Sequence, residues 1–123
     1  TAMVLSVVVI EMDGLRAAVE QHGATVLNTA RRKMAAIFRD GLRRTDAYGE
    51  LGIGELCLAL PTCTRDVAVR RAENIVRRFE AEAAEDPQLK GVQLLVGVAD
   101  TTDGLQSVAV RAERELRSGG SLR

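Results

Sequence analysis

Tyr48-Gly-Glu-Leu-Gly-Ile-Gly-Glu-Leu-Cys-Leu-Ala-Leu-Pro61 is the stretch whose reading decides the fold. Tyr48 to Leu51 and Glu55 to Leu60 flank Gly52-Ile53-Gly54. Two glycines in three residues let the chain reverse through backbone angles closed to most side chains. The stretch therefore reads as a β-hairpin. Pro61 ends it, because proline has no N–H to give to a ladder.

Upstream, Val4-Leu-Ser-Val-Val-Val-Ile10 is nearly all apolar and mostly β-branched, the pattern of a strand buried on both faces. Leu15 to Gln21 predicts a short helix stopped by Gly23. Leu27, Ala30, Met34, Phe38 and Leu42 recur at helical spacing across Ala24 to Leu42. Downstream, Thr64 is placed to cap a helix in which Ala68, Ala72, Ile75, Val76 and Phe79 share one face. Val92 to Ala99 is a further apolar strand. Leu105, Val108, Ala109, Ala112 and Leu116 mark a last helix. From Ser118 onward the chain is Gly/Ser-rich and reads as a flexible tail.

The order β-α-α-β-β-α-β-α predicts an α/β (α+β) fold of ferredoxin-like type, one domain over residues 1–117 with a tail over 118–123. Its central sheet should be mainly antiparallel. A chain of 123 residues suits a single core. The opening Thr-Ala-Met reads as the edge of a piece cut from a longer protein.

Composition excludes more than it assigns. There are 17 basic and 17 acidic residues, so no net field favours nucleic acid or an anionic membrane. Aromatics are 2% of the chain, too few for a row of platforms along a single strand. The two cysteines, Cys57 and Cys63, are not spaced as a metal knuckle, and Cys57 reads as a small buried hydrophobe. A reducing cytoplasm is the simplest setting, with a parent protein that could be membrane-attached. The longest apolar run is far too short to span a bilayer.

Gly52-Ile53-Gly54-Glu55-Leu56 and the strand after it resemble the signature of the GGDEF family, the diguanylate cyclases. Glu11-Met-Asp13-Gly-Leu-Arg16 resembles that family's D-x-D-x-F-K. Val96-Gly-Val-Ala99 is similar to its S-I-G-V-A strand, and Ala112-Glu-Arg-Glu-Leu116 to its A-D-x-A-L segment. The blocks keep their spacing over almost the whole chain. Cyclase activity in that family needs metal-binding carboxylates from the first strand and from the third signature position. The metal ions there hold a triphosphate and assist attack by a ribose hydroxyl. The resemblance puts Glu11 at the first of these positions and Gly54, which has no carboxylate, at the second. Glu55 is one residue late, and strand side chains alternate, so it is a poor substitute.

Other departures fall on the same chemistry. Ile53 replaces the second signature glycine. Val19 and Asn28 align with the guanine-reading Asn and Asp, and Val19 offers no hydrogen bond. Glu50 reverses the charge of the family's Arg before the signature. The family's phosphate-binding Lys has no counterpart in Ser118–Gly120. The resemblance thus implies a degenerate domain with no catalytic residues, no bound metal and no cofactor.

One constellation does match the family pattern. Arg43-Arg44-Thr45-Asp46 is an R-x-x-D, and five residues separate Asp46 from Gly52. The resemblance implies the family's inhibitory site for cyclic di-GMP at Arg43, Arg44 and Asp46. An Arg fork suits guanine O6 and N7, and a carboxylate suits its N–H groups. The family often adds an Arg from the next helix. Asn74 aligns there, leaving Arg70, Arg71 or Arg77 as replacements.

Plainer readings compete. Arg43 and Asp46 read equally as a surface ion pair, Glu11 and Asp13 as a strand end with Asp13 capping the next helix. His22 reads as a helix-end residue. Arg31, Arg32, Lys33, Arg39, Arg43 and Arg44 read as a solvated face. Three functions follow: a non-catalytic cyclic di-GMP receptor, a structural or dimerisation module free of nucleotide, and a weak enzyme using Glu11 and Glu55. The partners expected are cyclic di-GMP, a neighbouring domain or protein, and a second copy of the chain, with no nucleic acid.

Overall fold

In a computed structural model that describes residues 3–103 and 108–120, the apolar run near the N-terminus becomes β1 (Leu5–Asp13). It is followed by α1 (Leu15–His22), α2 (Thr25–Gly41), β2 (Ala47–Gly52), β3 (Glu55–Pro61), α3 (Arg65–Ala84), β4 (Gln93–Asp100) and α4 (Val108–Arg117). This is the order expected, and the four strands form one antiparallel sheet in the order β2-β3-β1-β4. β1 is continuously apolar over residues 7–10 because it pairs on both edges and is covered on both faces. Val8, Ile10 and Met12 face α1, α2 and α3, while Val7 and Val9 face α4. Ser6 is the buried polar residue of this strand, and its hydroxyl donates to the Cys63 carbonyl at 2.6 Å.

The main core lies between the sheet and the first three helices. α2 buries Val26, Ala30, Met34, Ile37 and Phe38, and α3 buries Ala68, Ala72, Ile75, Phe79 and Ala83. Val26 leads the α2 stripe, with Leu27 only partly buried beside it. Phe38 and Phe79 are each wholly enclosed, which contributes about 2–3 kcal/mol apiece. Thr64 caps α3 as expected, its side chain accepting from Val67 N at 3.4 Å.

Three expectations change. Asp13 does not cap α1: it ends β1, and its carboxylate accepts from Gln93 Nε2 at 3.3 Å. The turn into α1 is made by Gly14 at φ 87°, where a Cβ would fall 2.5 Å from the Gly91 carbonyl oxygen. The backbone has thus turned before an Asp13 side chain can fold back. Cys57 is only half-buried, on the α4 side, and Cys63 is the buried thiol. Ser118, Gly119 and Gly120, read as the start of the tail, hydrogen-bond back to Arg114, Leu116 and Glu115 and so close α4. Leu105 and residues 121–123 lie outside the described residues.

α4 forms a second, smaller core against the other face of the sheet, through Val108, Ala112 and Leu116. It sits on Gly97 of β4 so closely that a Cβ there would fall 2.5 Å from Leu116 N. Among the described residues, no helix is long and apolar enough to cross a membrane.

Candidate functional site

The β2–β3 turn consists of Ile53 and Gly54, and the sequence says why it can be so tight. Gly54 has φ 76°, and its carbonyl accepts from Met12 N at 2.8 Å, tying the turn to the end of β1. A side chain at position 54 would start 3.0 Å from Leu15 Cδ2. Ile53 is 73% exposed and overhangs a cleft of 750 Å³ between β1, α1 and the turn. Glu11, Asp13, Arg16, Val19 and Glu55 also line it.

Alternation sends Glu55 away from the side to which position 54 points, as expected. It also brings Glu55 directly opposite Glu11 in the β1–β3 register, which sequence reading missed. Both carboxylates emerge on the α4 side. Like charges facing across strands repel. Arg117, at the end of α4, supplies the counter-charge, with Nη1 on Glu11 Oε2 at 2.9 Å. A guanidinium therefore already occupies the carboxylate that a metal would need, and position 54 supplies no second donor. Among the described residues no three His, Cys, Asp or Glu side chains converge to hold a metal ion.

The guanine-reading positions fare alike. Val19 is partly buried against the core, and Leu27 rather than the exposed Asn28 completes that wall. Glu50 is held by Arg31 Nε at 3.0 Å across the rim of a small apolar cavity beneath the hairpin.

At the other end of β2 the R-x-x-D residues do meet. The α2–β2 turn brings Asp46 back on Arg43, closed by a hydrogen bond from Asp46 N to the Arg43 carbonyl at 3.0 Å. The Asp46 carboxylate is fully enclosed. It accepts from Arg43 N at 2.6 Å and Arg43 Nη2 at 3.0 Å, with a longer contact from Arg43 Nε. Arg71 Nη2 of α3 completes the set at 2.5 Å. Burial works to raise the Asp46 pKa, but the hydrogen bonds from Arg43 and Arg71 outweigh it and hold the group below the usual carboxylate range. Arg43 Nη2 also donates to the Pro61 carbonyl at 2.6 Å, which fixes the fork while leaving its side chain 47% exposed.

Of the three arginines offered as the second cation, Arg71 is the one that reaches. It lies one turn beyond buried Ala68 on α3, and so borders the face turned to the sheet. Arg77 instead bonds Asn74 on its own helix. Arg44 is exposed and lines the same groove, of 480 Å³, as Arg39, Arg43, Asp46 and Tyr48.

No family model and no curated protein matches the sequence. Solved structures do match the fold. The GGDEF domain of DgcB from Caulobacter crescentus, solved in complex with c-di-GMP, has a TM-score of 0.79 at 17% identity, covering 98% of this chain and 76% of that one. The active GGEEF domain of a diguanylate cyclase from Vibrio cholerae has a TM-score of 0.80 at 22% identity, covering 94% and 75%. The diguanylate cyclase SiaD from Pseudomonas aeruginosa, solved with its activator SiaC, has a TM-score of 0.76 at 17% identity, covering 94% and 46%. The chain has the fold of GGDEF domains.

Proposed function

We propose that this GGDEF-fold chain is a degenerate, non-catalytic receptor for cyclic di-GMP, working in the cytoplasm as a module of a larger signalling protein. The observation that carries the reading is the convergence of Arg43 and Arg71 on the enclosed Asp46 carboxylate, beside a groove that Arg39 and Arg44 also line. Asp46 and the Pro61 carbonyl hold Arg43 through Nε and Nη2, and its Nη1 is left to donate to guanine O6 or N7. Arg44 is placed for a phosphodiester. A guanine N–H reaches Asp46 only after one of the protein donors leaves, since four N–H groups already share its lone pairs.

The non-catalytic half rests on the turn cleft. Gly54 carries no carboxylate, Val19 no hydrogen-bonding group, and Glu11 is engaged by Arg117. The ligand state would pass to a neighbouring domain, a partner protein or a second copy. The saturation of Asp46 by its own chain favours a second reading, a structural or dimerisation module in which the triad is only an ionic tie.

Calorimetric titration separates these readings. Cyclic di-GMP should bind, and Arg43→Ala should weaken it by about 1–3 kcal/mol, roughly 5- to 150-fold. Arg43→Lys should also fail, because an ammonium lacks the planar fork. No heat and no melting shift at ligand concentrations near a millimolar would leave the structural module standing. Cyclic di-GMP made from GTP with magnesium or manganese would overturn the non-catalytic assignment.

A further inference from the structure

The chain has one tyrosine, two phenylalanines and no tryptophan, yet that tyrosine is half exposed. Tyr48 stands on β2, the edge strand, where a valine or isoleucine would satisfy the sheet equally well. Its ring packs on Phe38, with centroids 4.6 Å apart and planes tilted by 52°. Phe38 is 1% exposed in the core and backs the Tyr48 ring from one side. Tyr48 as a whole is still 49% exposed. Arg39, Arg43 and Arg44 share with it the wall of the groove beside the R-x-x-D turn.

A fixed aromatic ring bordered by guanidinium groups is the combination that takes a flat base and its phosphates. We propose that Tyr48 is the stacking platform for one guanine of the cyclic dinucleotide. Arg43 donates from Nη1 to the edge of that base, and Arg39 and Arg44 neutralise its phosphodiesters. The same ring also forms part of the wall of the apolar cavity under the hairpin, so a base stacked on it touches the partition between the groove and the turn side of the domain. The inference rests on the receptor reading above and adds to it the residue that would grip the base.

The sole tyrosine is its own probe. Cyclic di-GMP is titrated into the whole chain while the Tyr48 ring protons are followed by NMR and the affinity by calorimetry. Stacking predicts upfield ring shifts that saturate with the binding curve. Tyr48→Phe should bind within about twofold of the parent, while Tyr48→Val, which keeps a strand former on the edge, should lose about 5- to 150-fold. Binding heat with unmoved ring signals, or full affinity in Tyr48→Val, overturns the platform but leaves the receptor reading intact if Arg43→Ala still weakens binding. Absence of binding to the parent chain overturns both. If Tyr48→Val melts early, Tyr48→Phe and the ring shifts in the parent chain still decide the matter.

Discussion

The β2–β3 hairpin joins two charged regions that are built differently. At the turn, Glu11 and Glu55 stand side by side at the edge of a wide cleft, and the guanidinium of half-exposed Arg117 pairs with Glu11. Near the start of β2, one carboxylate is wholly enclosed and takes four N–H donors from two arginines. An open charge is solvated whatever its neighbours, so residues around it change at little cost. An enclosed charge stripped of its partners costs several kcal/mol. Substitutions at the cleft should therefore cost little stability, whereas those at the triad should cost much more.

The sharpest way to break the contrast is Asp46→Ala. It leaves the mostly buried Arg71 without its carboxylate and should cost about 3 kcal/mol, read as a lowered midpoint in urea. A loss below about 0.5 kcal/mol would mean the triad is no tighter than a surface pair.

Acid tests the same difference more gently. Asp46 and Asp100 are both buried, which raises their pKa values, but hydrogen bonds to each outweigh this and lower them from 3.8. A carboxylate with a lowered folded pKa contributes stability that is complete above its unfolded value and lost as pH falls through the folded one. The melting temperature should hold down to about pH 4 and fall below it, less steeply in Asp46→Asn. A steady rise in stability through that range would reverse the sign and refute the assignment.

At the turn the effects shrink. Gly54→Asp places a carboxylate at φ 76° against Leu15 and should cost about 1 kcal/mol. It should still give no product from GTP, because Val19 and Arg117 remain as they are. Product formation in this variant would show that one residue alone had silenced the cleft. Smallest of all, Ile53→Thr should shift stability by less than about 0.5 kcal/mol, since the side chain is mostly in solvent. A larger loss would mean that Ile53 closes the cleft.

The strands and helices were legible because their signals are local: a β-branched run, helical spacing, two glycines at a turn. Arg43 and Asp46 were legible for the same reason, three residues apart in one turn. Arg71 was only one of three choices, because which arginine of α3 reaches Asp46 depends on how the helix is rotated against the sheet. Glu55 beside Glu11 depends on strand register, and Arg117 on the docking of α4, and no local pattern encodes either. Asp13 was misread as a cap because the steric crowding at Gly14 comes from Gly91, far along the chain.

The sheet order has a consequence in time. β1 is bonded on both edges, but β2 is bonded on one, and its residues are exposed or half-exposed. Amide protons of β1 should exchange with solvent only when the whole domain opens, whereas those on β2 should exchange through local fraying. Whatever binds near Tyr48 therefore holds a strand that the rest of the sheet leaves free to open. Its grip should appear first as slowed exchange along Ala47–Gly52, with β1 unchanged until binding stabilises the domain as a whole.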